Sequence, residues 1–297
     1  MAERPIIATL ARQPVAIASL SLLAVLFLAA IIVPEVFPAS YAQPGAKQLA
    51  PPSAAHWFGT DLNGRDLFVR VFSGLRISFL VGIAGAAVSL LIGTVYGLVA
   101  GYCGGKTDAL MMRVVDVLYS IPRLIFILVL INALNESLRN FAFEKEWAGV
   151  VLYSRILILI LSLGFIEWLT MARIVRGQVL SVKSREFVLA ARALGQSHGK
   201  IVLRHILPNI SGVIVICLTL TIPAVILDES FLSFLGLGVE APLASLGTLV
   251  ADGASALNPV KIYWWLLVFP AGVMILLLLA LNFLGDALRD ALDVRTG

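Results

Sequence analysis

Ile77-Ser-Phe-Leu-Val-Gly-Ile-Ala-Gly-Ala-Ala-Val-Ser-Leu-Leu-Ile-Gly-Thr-Val-Tyr-Gly-Leu-Val-Ala100 runs for 24 residues without a charged side chain, and its reading decides the fold. A helix rises about 1.5 Å per residue, so about 20 apolar residues cross the hydrocarbon core of a bilayer. Only a structure that satisfies its own backbone hydrogen bonds is stable there. The run therefore predicts a transmembrane helix. Its Gly82, Gly85, Gly93 and Gly97, with Ala86, Ala87 and Ala100, give that helix a small-residue face for close packing against another helix.

Five more segments of the same kind flank it, at Val15–Val33, Val114–Leu134, Trp147–Leu169, Ile210–Phe234 and Ile262–Leu284. The fourth is the least uniform, because Arg155 and Glu167 lie within it. Composition agrees with a chain dominated by these spans. Hydrophobic residues make up 60% and charged residues 13%, with a mean hydropathy of +0.97; soluble domains have about 45–50% apolar and about 25% charged residues. The expected fold class is an all-α polytopic membrane protein with six transmembrane helices. The first run follows Arg4 and Arg12 but is longer than a signal-peptide core and lacks a clean small-x-small cleavage pattern, so it reads as an uncleaved anchor.

The net charge of +4 gathers between the apolar runs instead of forming a nucleic-acid stripe. With the N-terminus inside, thirteen Lys and Arg fall in inner segments (Arg4, Arg12, Lys106, Arg113, the seven from Arg173 to Arg204, Arg289, Arg295) and six in outer loops (Lys47, Arg65, Arg70, Arg139, Lys145, Lys261). The positive-inside rule then places both termini in the cytoplasm. Trp147 and the Trp264–Trp265 pair fall at outer span ends, where amphipathic rings settle at headgroups. The expected organisation is residues 1–76 as an N-terminal tail, first span and outer loop, and residues 77–297 as a five-span core. The stretch Asp61 to Arg76 reads as an interfacial helix leading into the second span, and 171–209 as a basic inner connection.

Within that connection, Arg185-Glu-Phe-Val-Leu-Ala-Ala-Arg-Ala-Leu194 has the spacing of an amphipathic helix with Phe187, Ala190, Ala191 and Leu194 on one face. Gly195 stops it, Ser197 can cap a second helix, and that helix runs to Pro208 just before the fifth span. Small residues at 190, 191 and 195 let another surface approach the backbone, and the flanking arginines set its register by charge. A basic amphipathic loop resting on anionic lipid fits the same periodicity.

The pattern Ala190-Ala191-x-x-x-Gly195, then nine residues before His205-Ile-Leu-Pro208, resembles the EAA loop with which ABC importer permeases dock into their nucleotide-binding subunits. Leu189 stands where that pattern has an acidic residue, Glu186 lies three positions earlier, and His205 replaces an aliphatic one. Further stretches are similar to the C-type permeases of dipeptide, oligopeptide and nickel importers. They are Phe58-Gly-Thr-Asp-x-x-Gly-Arg-Asp66, Gly101-Tyr-Cys-Gly-Gly105 with Asp108, Met112-Arg113 and Asp116, Arg204-His-Ile-Leu-Pro-Asn209, Glu229-Ser-Phe-Leu-Ser-Phe-Leu-Gly-Leu-Gly238, and Gly285-Asp-x-Leu-Arg-Asp-x-Leu-Asp293. The resemblance implies a type I ABC importer permease fold in the bacterial inner membrane. It implies a second permease subunit, one or two kinds of cytoplasmic ATPase subunit that bind the ATP and Mg, and a periplasmic solute-binding protein. Short peptides rank first as substrate, ahead of nickel, opines, glutathione or antimicrobial peptides. The docking residues it implies are Arg185, Glu186, Ala190, Ala191, Arg192, Gly195, Arg204, His205 and Pro208.

Other residues are read on their own chemistry. Asp228 and Glu229, followed by Ser230 and Ser233, place a carboxylate pair at the outer end of the fifth span, which is costly unless wet or paired. A structural or gating role and contact with a substrate's amino terminus both fit. Asp61, Arg65 and Asp66 are candidates for periplasmic contacts. Gly59, Gly64, Gly101, Gly104 and Gly105 suit tight turns at membrane borders, and Pro122, Pro223 and Pro270 suit kinks or hinges. Cys103 and Cys217 read as buried free thiols. The three histidines lack metal-ligand spacing, and no Gly-x-x-x-x-Gly-Lys-Ser/Thr stretch occurs, so the chain is expected to hold no metal, no cofactor and no catalytic residue of its own. An ion-coupled secondary transporter is the competing class, with Glu167, Asp228 and Glu229 as its acidic candidates; a membrane protein of purely structural role is a third.

Overall fold

The computed structural model of the chain describes residues 10, 13–37, 45, 47–144, 148–257 and 261–293, with side chains defined outside 135–153 and 293. Arg4, Arg12, Lys145, Trp147 and Arg295 lie outside the described residues, as does the side chain of Arg139. The described elements are helical: α1 Pro14–Val36, α2 Leu67–Cys103, α3 Gly105–Ser120, α4 Arg123–Glu144, α5 Ala148–Val182, α6 Glu186–Ala193, α7 His198–Ile201, α8 Leu207–Phe234, α9 Leu246–Ser255 and α10 Trp265–Asp293. The extended pairing among them is an isolated bridge between Thr60 and Asp66. Five helical segments are long and apolar enough to cross a membrane, or six if the bent pair α3 and α4 is one broken span.

That pair departs from the single third span expected over 114–134. The helix breaks at Ile121–Pro122 and turns by 93°, because proline at 122 disfavours helical backbone at 121; Ile121 is extended, with ψ 128°. The second and fourth spans also differ. No separate interfacial helix forms over Asp61–Arg76. Residues 61–66 form a turn, and α2 begins at Leu67, capped by Asp66 Oδ1 accepting from the Val69 amide at 3.2 Å. The helix of the fourth span starts close to the expected position, at Ala148, but runs on past Leu169 to Val182. It takes in Arg173 and Arg176, which find carboxylate partners on α3.

The chain divides into two compact units, Met1–Gly82 with Ile226–Gly297, and Ile83–Val225. In the first, α1 and α9 both pack on α10. The Phe58 ring stacks on Phe269 at 4.0 Å, and Trp265 donates from Nε1 to the Thr60 carbonyl at 3.4 Å. Of the tryptophan pair expected at the membrane border, only Trp264 is exposed; Trp265 is buried under the 59–60 turn.

In the second unit, glycines let α2 approach α5. A Cβ at Gly93 would meet the Met171 side chain at 2.6 Å, one at Gly97 the Ala172 carbonyl oxygen at 2.6 Å, and one at Gly101 Val179 at 2.7 Å. Such contacts are too close for any side chain, so the stripe is a packing device. Gly101 thus belongs to a helix, not a turn, whereas Gly59, Gly64, Gly104 and Gly105 do adopt positive φ. Cys103, at the end of α2, is exposed, and Cys217 is partly so. Burial of both thiols does not hold, because α2 ends at Cys103 and leaves that side chain outside the packed stripe.

A polar ladder joins α3 and the break to α5. Arg176 holds Asp108 through two bonds of 2.5 and 2.7 Å, Arg173 holds Asp116 at 2.8 Å, Tyr119 bonds Thr170 at 2.5 Å, and Arg123 pairs with Glu167. The partners on α5 fall every three residues, on one helix face. Arg173 also lies over the Tyr119 ring, 4.2 Å from its centroid.

Candidate functional site

The basic connection after α5 is short. Residues 183–185 turn the chain, and α6, α7, a π-helical turn at Val202–Ile206 and α8 follow almost without interruption. The π turn closes with the Leu207 amide donating to the Val202 carbonyl, an i to i−5 bond. The helix therefore passes through Pro208 without stopping, contrary to a boundary there. Asn209 Nδ2 donates to the His205 carbonyl at 2.6 Å.

One face of this segment is its anchor. Val188, Ala191, Ile201 and Ile206 are buried against Leu98 of α2 and Met171, Val175, Val179 and Val182 of α5. Burying each of Val188, Ile201 and Ile206 contributes roughly 1.5–3 kcal/mol, which fastens the loop to α5. Lys183 Nζ donates to the Gly101 carbonyl at 2.6 Å, and Tyr102 Oη shares a hydrogen bond with His198 Nδ1 at 2.8 Å. His205 is held by Gln196 at 2.9 Å. These residues orient the loop from behind.

The other face is uncovered in this chain. Phe187, Ala190 and Leu194 lie at i, i+3 and i+7, with Leu189 beside them; Leu194 is 81% exposed and Leu203 66%. Arg185, Glu186, Arg192, Lys200, Arg204 and Pro208 are also exposed around it. The single apolar face expected from periodicity thus divides: Ala191 turns inward with Val188, and Phe187, Ala190 and Leu194 turn outward. Gly195 has φ +73° and no neighbour that an added Cβ would touch. Its role in the fold is the left-handed end of α6, where its amide donates to the Arg192 carbonyl at 3.0 Å and the Gln196 amide to Ala191 at 3.2 Å. Ser197 stands at the start of α7 without a side-chain cap.

A second cluster sits at the other end of α8. Glu229 is fully buried. Its Oε1 accepts from Ser233 and Ser245, both at 2.6 Å, and its Oε2 from Ser78 at 3.5 Å. Ser78 accepts in turn from the Leu246 amide at 3.1 Å. One carboxyl thereby ties α2, α8 and the start of α9 together. Ser230 bonds back to the Ile226 carbonyl at 2.8 Å. Asp228, one residue earlier on the helix, is partly exposed. Ser78 and Ser245 belong to this cluster yet stand 151 and 16 residues from Glu229 in sequence, with no local signal to announce them.

Asp61, Arg65 and Asp66 are largely buried and bonded to their neighbours. Asp61 accepts from the Asn63 and Arg65 amides, each at 2.8 Å, from Arg65 Nε at 2.7 Å and from the buried Arg70. Asp66 Oδ2 meets His56 Nδ1 at 2.8 Å. A cavity of about 390 Å³ opens beside them, lined among others by Asp61, Arg65, Arg70, Ser233, Thr248 and Asp252. A smaller one, about 230 Å³, lies at the α3–α4 break between Tyr119, Pro122, Arg123, Phe126, Glu167 and Thr170. Among the described residues no group of histidine, cysteine, aspartate or glutamate is arranged to hold a metal ion.

Several apolar spans, with an anchored basic loop whose outer face is uncovered, define the membrane-spanning subunit of a transporter. The chain belongs to the family of binding-protein-dependent transport system inner membrane components, which residues 93–297 match. It is 44% identical over 285 residues to the oligopeptide transport system permease protein OppC of Haemophilus influenzae, covering 95% of this chain and 85% of that one. Against the dipeptide transport system permease protein DppC of Bacillus subtilis the identity is 43%, covering 96% and 83%. A solved structure of inward-facing conformations of the MetNI methionine ABC transporter superposes with a TM-score of 0.57 at 16% identity, covering 76% of this chain and 97% of that one; it supports the fold alone. Family membership makes this chain a transport permease, not an enzyme, and sets aside the ion-coupled and purely structural alternatives.

Proposed function

We propose that this chain is one of two permease subunits of an ATP-driven importer of dipeptides or oligopeptides, and that the outward face of residues 185–208 receives a cytoplasmic ATPase subunit. The observation that carries this is the two-sided loop. Val188, Ala191, Ile201 and Ile206 fix it to α5, while Phe187, Ala190, Leu194 and Leu203 stand exposed among arginines. Exposed leucines ringed by polar residues mark a protein contact. A bare lipid-resting helix would not require the anchoring.

The mechanism follows from that anchoring. The ATPase subunits bind ATP and Mg; closing on ATP, they displace α6 and α7. The shared core with α5 converts the displacement into movement of α5 and α2 as packed bodies. A second, homologous permease completes the pathway, and a periplasmic binding protein delivers the peptide to the outer side. Both termini lie in the cytoplasm, and residues 77–297 form the core that moves. The peptide cargo is supported by the names of the relatives. Arg185, Glu186, Ala190, Arg192, Gly195, Arg204 and Pro208 are the residues on or beside the docking face, with Ala191 and His205 supporting it.

The test is uptake into proteoliposomes carrying this chain with its partner permease, ATPases and binding protein. Dipeptide or oligopeptide accumulation that needs ATP and survives a proton uncoupler is expected. Accumulation abolished by the uncoupler and indifferent to ATP would overturn the reading.

A further inference from the structure

The Arg123–Glu167 pair is not used by the docking loop or by the Glu229 cluster. Glu167 lies within α5, 19 residues from its start at Ala148 and 15 from its end at Val182, in a helix long and apolar enough to cross a membrane. An ion pair there is expensive and marks a pathway or a structural network. Two observations favour the pathway. The pair lines a cavity of about 230 Å³ at the 93° break between α3 and α4, and transporters build solute sites at the breaks of discontinuous helices. It is also the last rung of a polar ladder descending α5 through Thr170, Arg173 and Arg176. Arg123 is 44% exposed, Arg173 45% and Asp116 60%. Charged groups so exposed on the chain are suited to water or to a second subunit, not to lipid.

We propose that the cavity at the α3–α4 break is a substrate subsite in which Arg123 takes the free α-carboxylate of a passing peptide. This rests on the peptide reading above. A guanidinium presents a planar fork that matches a carboxylate through two hydrogen bonds. Glu167, 9% exposed, orients that fork and neutralises it in the membrane between passages. The arriving carboxylate competes with Glu167 for the same cation, which keeps the contact brief enough for release. Phe126 and Ile166 supply apolar walls that accept side chains of varied shape.

The assembled transporter in proteoliposomes tests this with a peptide and its C-terminally amidated analogue. Arg123→Gln is expected to lower uptake of the free acid at least tenfold and that of the amide less than twofold, with Arg123→Lys intermediate. In a Cys103→Ser, Cys217→Ser background, Ser120→Cys, which lines the same cavity, is expected to react with a water-soluble thiol reagent. The free-acid peptide should slow that reaction, and Arg123→Gln should remove the protection. Equal loss of both peptides, no loss of either, or a cysteine at 120 that the reagent never reaches would overturn the subsite. A wild-type transporter that imports no peptide overturns the peptide reading instead.

Discussion

At residue scale, Glu229 shows how little a carboxylate's sequence neighbourhood says about its work. A charge at the end of an apolar span announces a cost that something must offset, and that much is legible. Of the three hydroxyls that offset it, Ser233 is one turn along the same helix, while Ser78 and Ser245 come from separate segments. Glu229→Ala strands Ser78, Ser233 and Ser245 in a buried pocket, and each unsatisfied group costs about 1–3 kcal/mol. Glu229→Gln keeps an acceptor for the two short bonds and a donor for Ser78. Thermal unfolding in detergent should therefore show Ala losing at least about 2 kcal/mol more than Gln; equal losses would show that the hydrogen bonds do not matter. Gly195 teaches the complementary lesson. Its sequence position marks a helix stop, and its φ of +73° shows why a side chain is disfavoured there even without a close neighbour. Asparagine tolerates that conformation and tryptophan does not. Gly195→Asn should retain uptake within about threefold and Gly195→Trp should abolish it, with both chains present in the membrane; loss in both would shift the requirement from conformation to contact.

At the scale of elements, the spans are legible because charge is absent from them, and their ends are not, because charge near an end can be neutralised by a distant partner. Arg70 and Arg76 read as interfacial, yet α2 starts at Leu67 with Arg70 buried against Asp61. Arg173 and Arg176 read as loop, yet α5 reaches Val182 because Asp116 and Asp108 meet them. Pro122 announces a break but not its angle, which depends on packing between α4 and α5. The division of α6 into two faces was similarly hidden, since alanine and valine fit either side until Ile201 and Ile206 fold back over Val188 and Ala191. Leu194→Asp changes only the outward face, so it should leave insertion intact and lower peptide-stimulated ATP hydrolysis at least tenfold, the cost of placing a charge in a desolvated contact. Gly97→Leu acts from the other side of the same assembly. Its side chain would meet the Ala172 carbonyl, so α2 and α5 must separate, and the chain should be lost from the membrane or become protease-sensitive; normal abundance and uptake would contradict the packing.

At the scale of the whole molecule, one unit holds Glu229, the 45–66 loop and the 390 Å³ cavity, and the other holds the docking loop, the polar ladder and the α3–α4 break. Chain continuity through α2 and α8 joins them covalently. The family match begins at residue 93, and the similarity to the peptide permeases extends across nearly the whole chain. Force is proposed to enter through the outward face of residues 185–208. Leu194→Cys in a chain lacking Cys103 and Cys217, probed in the assembled transporter with a short bifunctional thiol reagent, is the decisive measurement. A cross-link to the ATPase subunit whose yield changes when ATP is added is the predicted result. A cysteine at 194 that never joins the ATPase, and instead reacts with a lipid-borne thiol reagent, would contradict it.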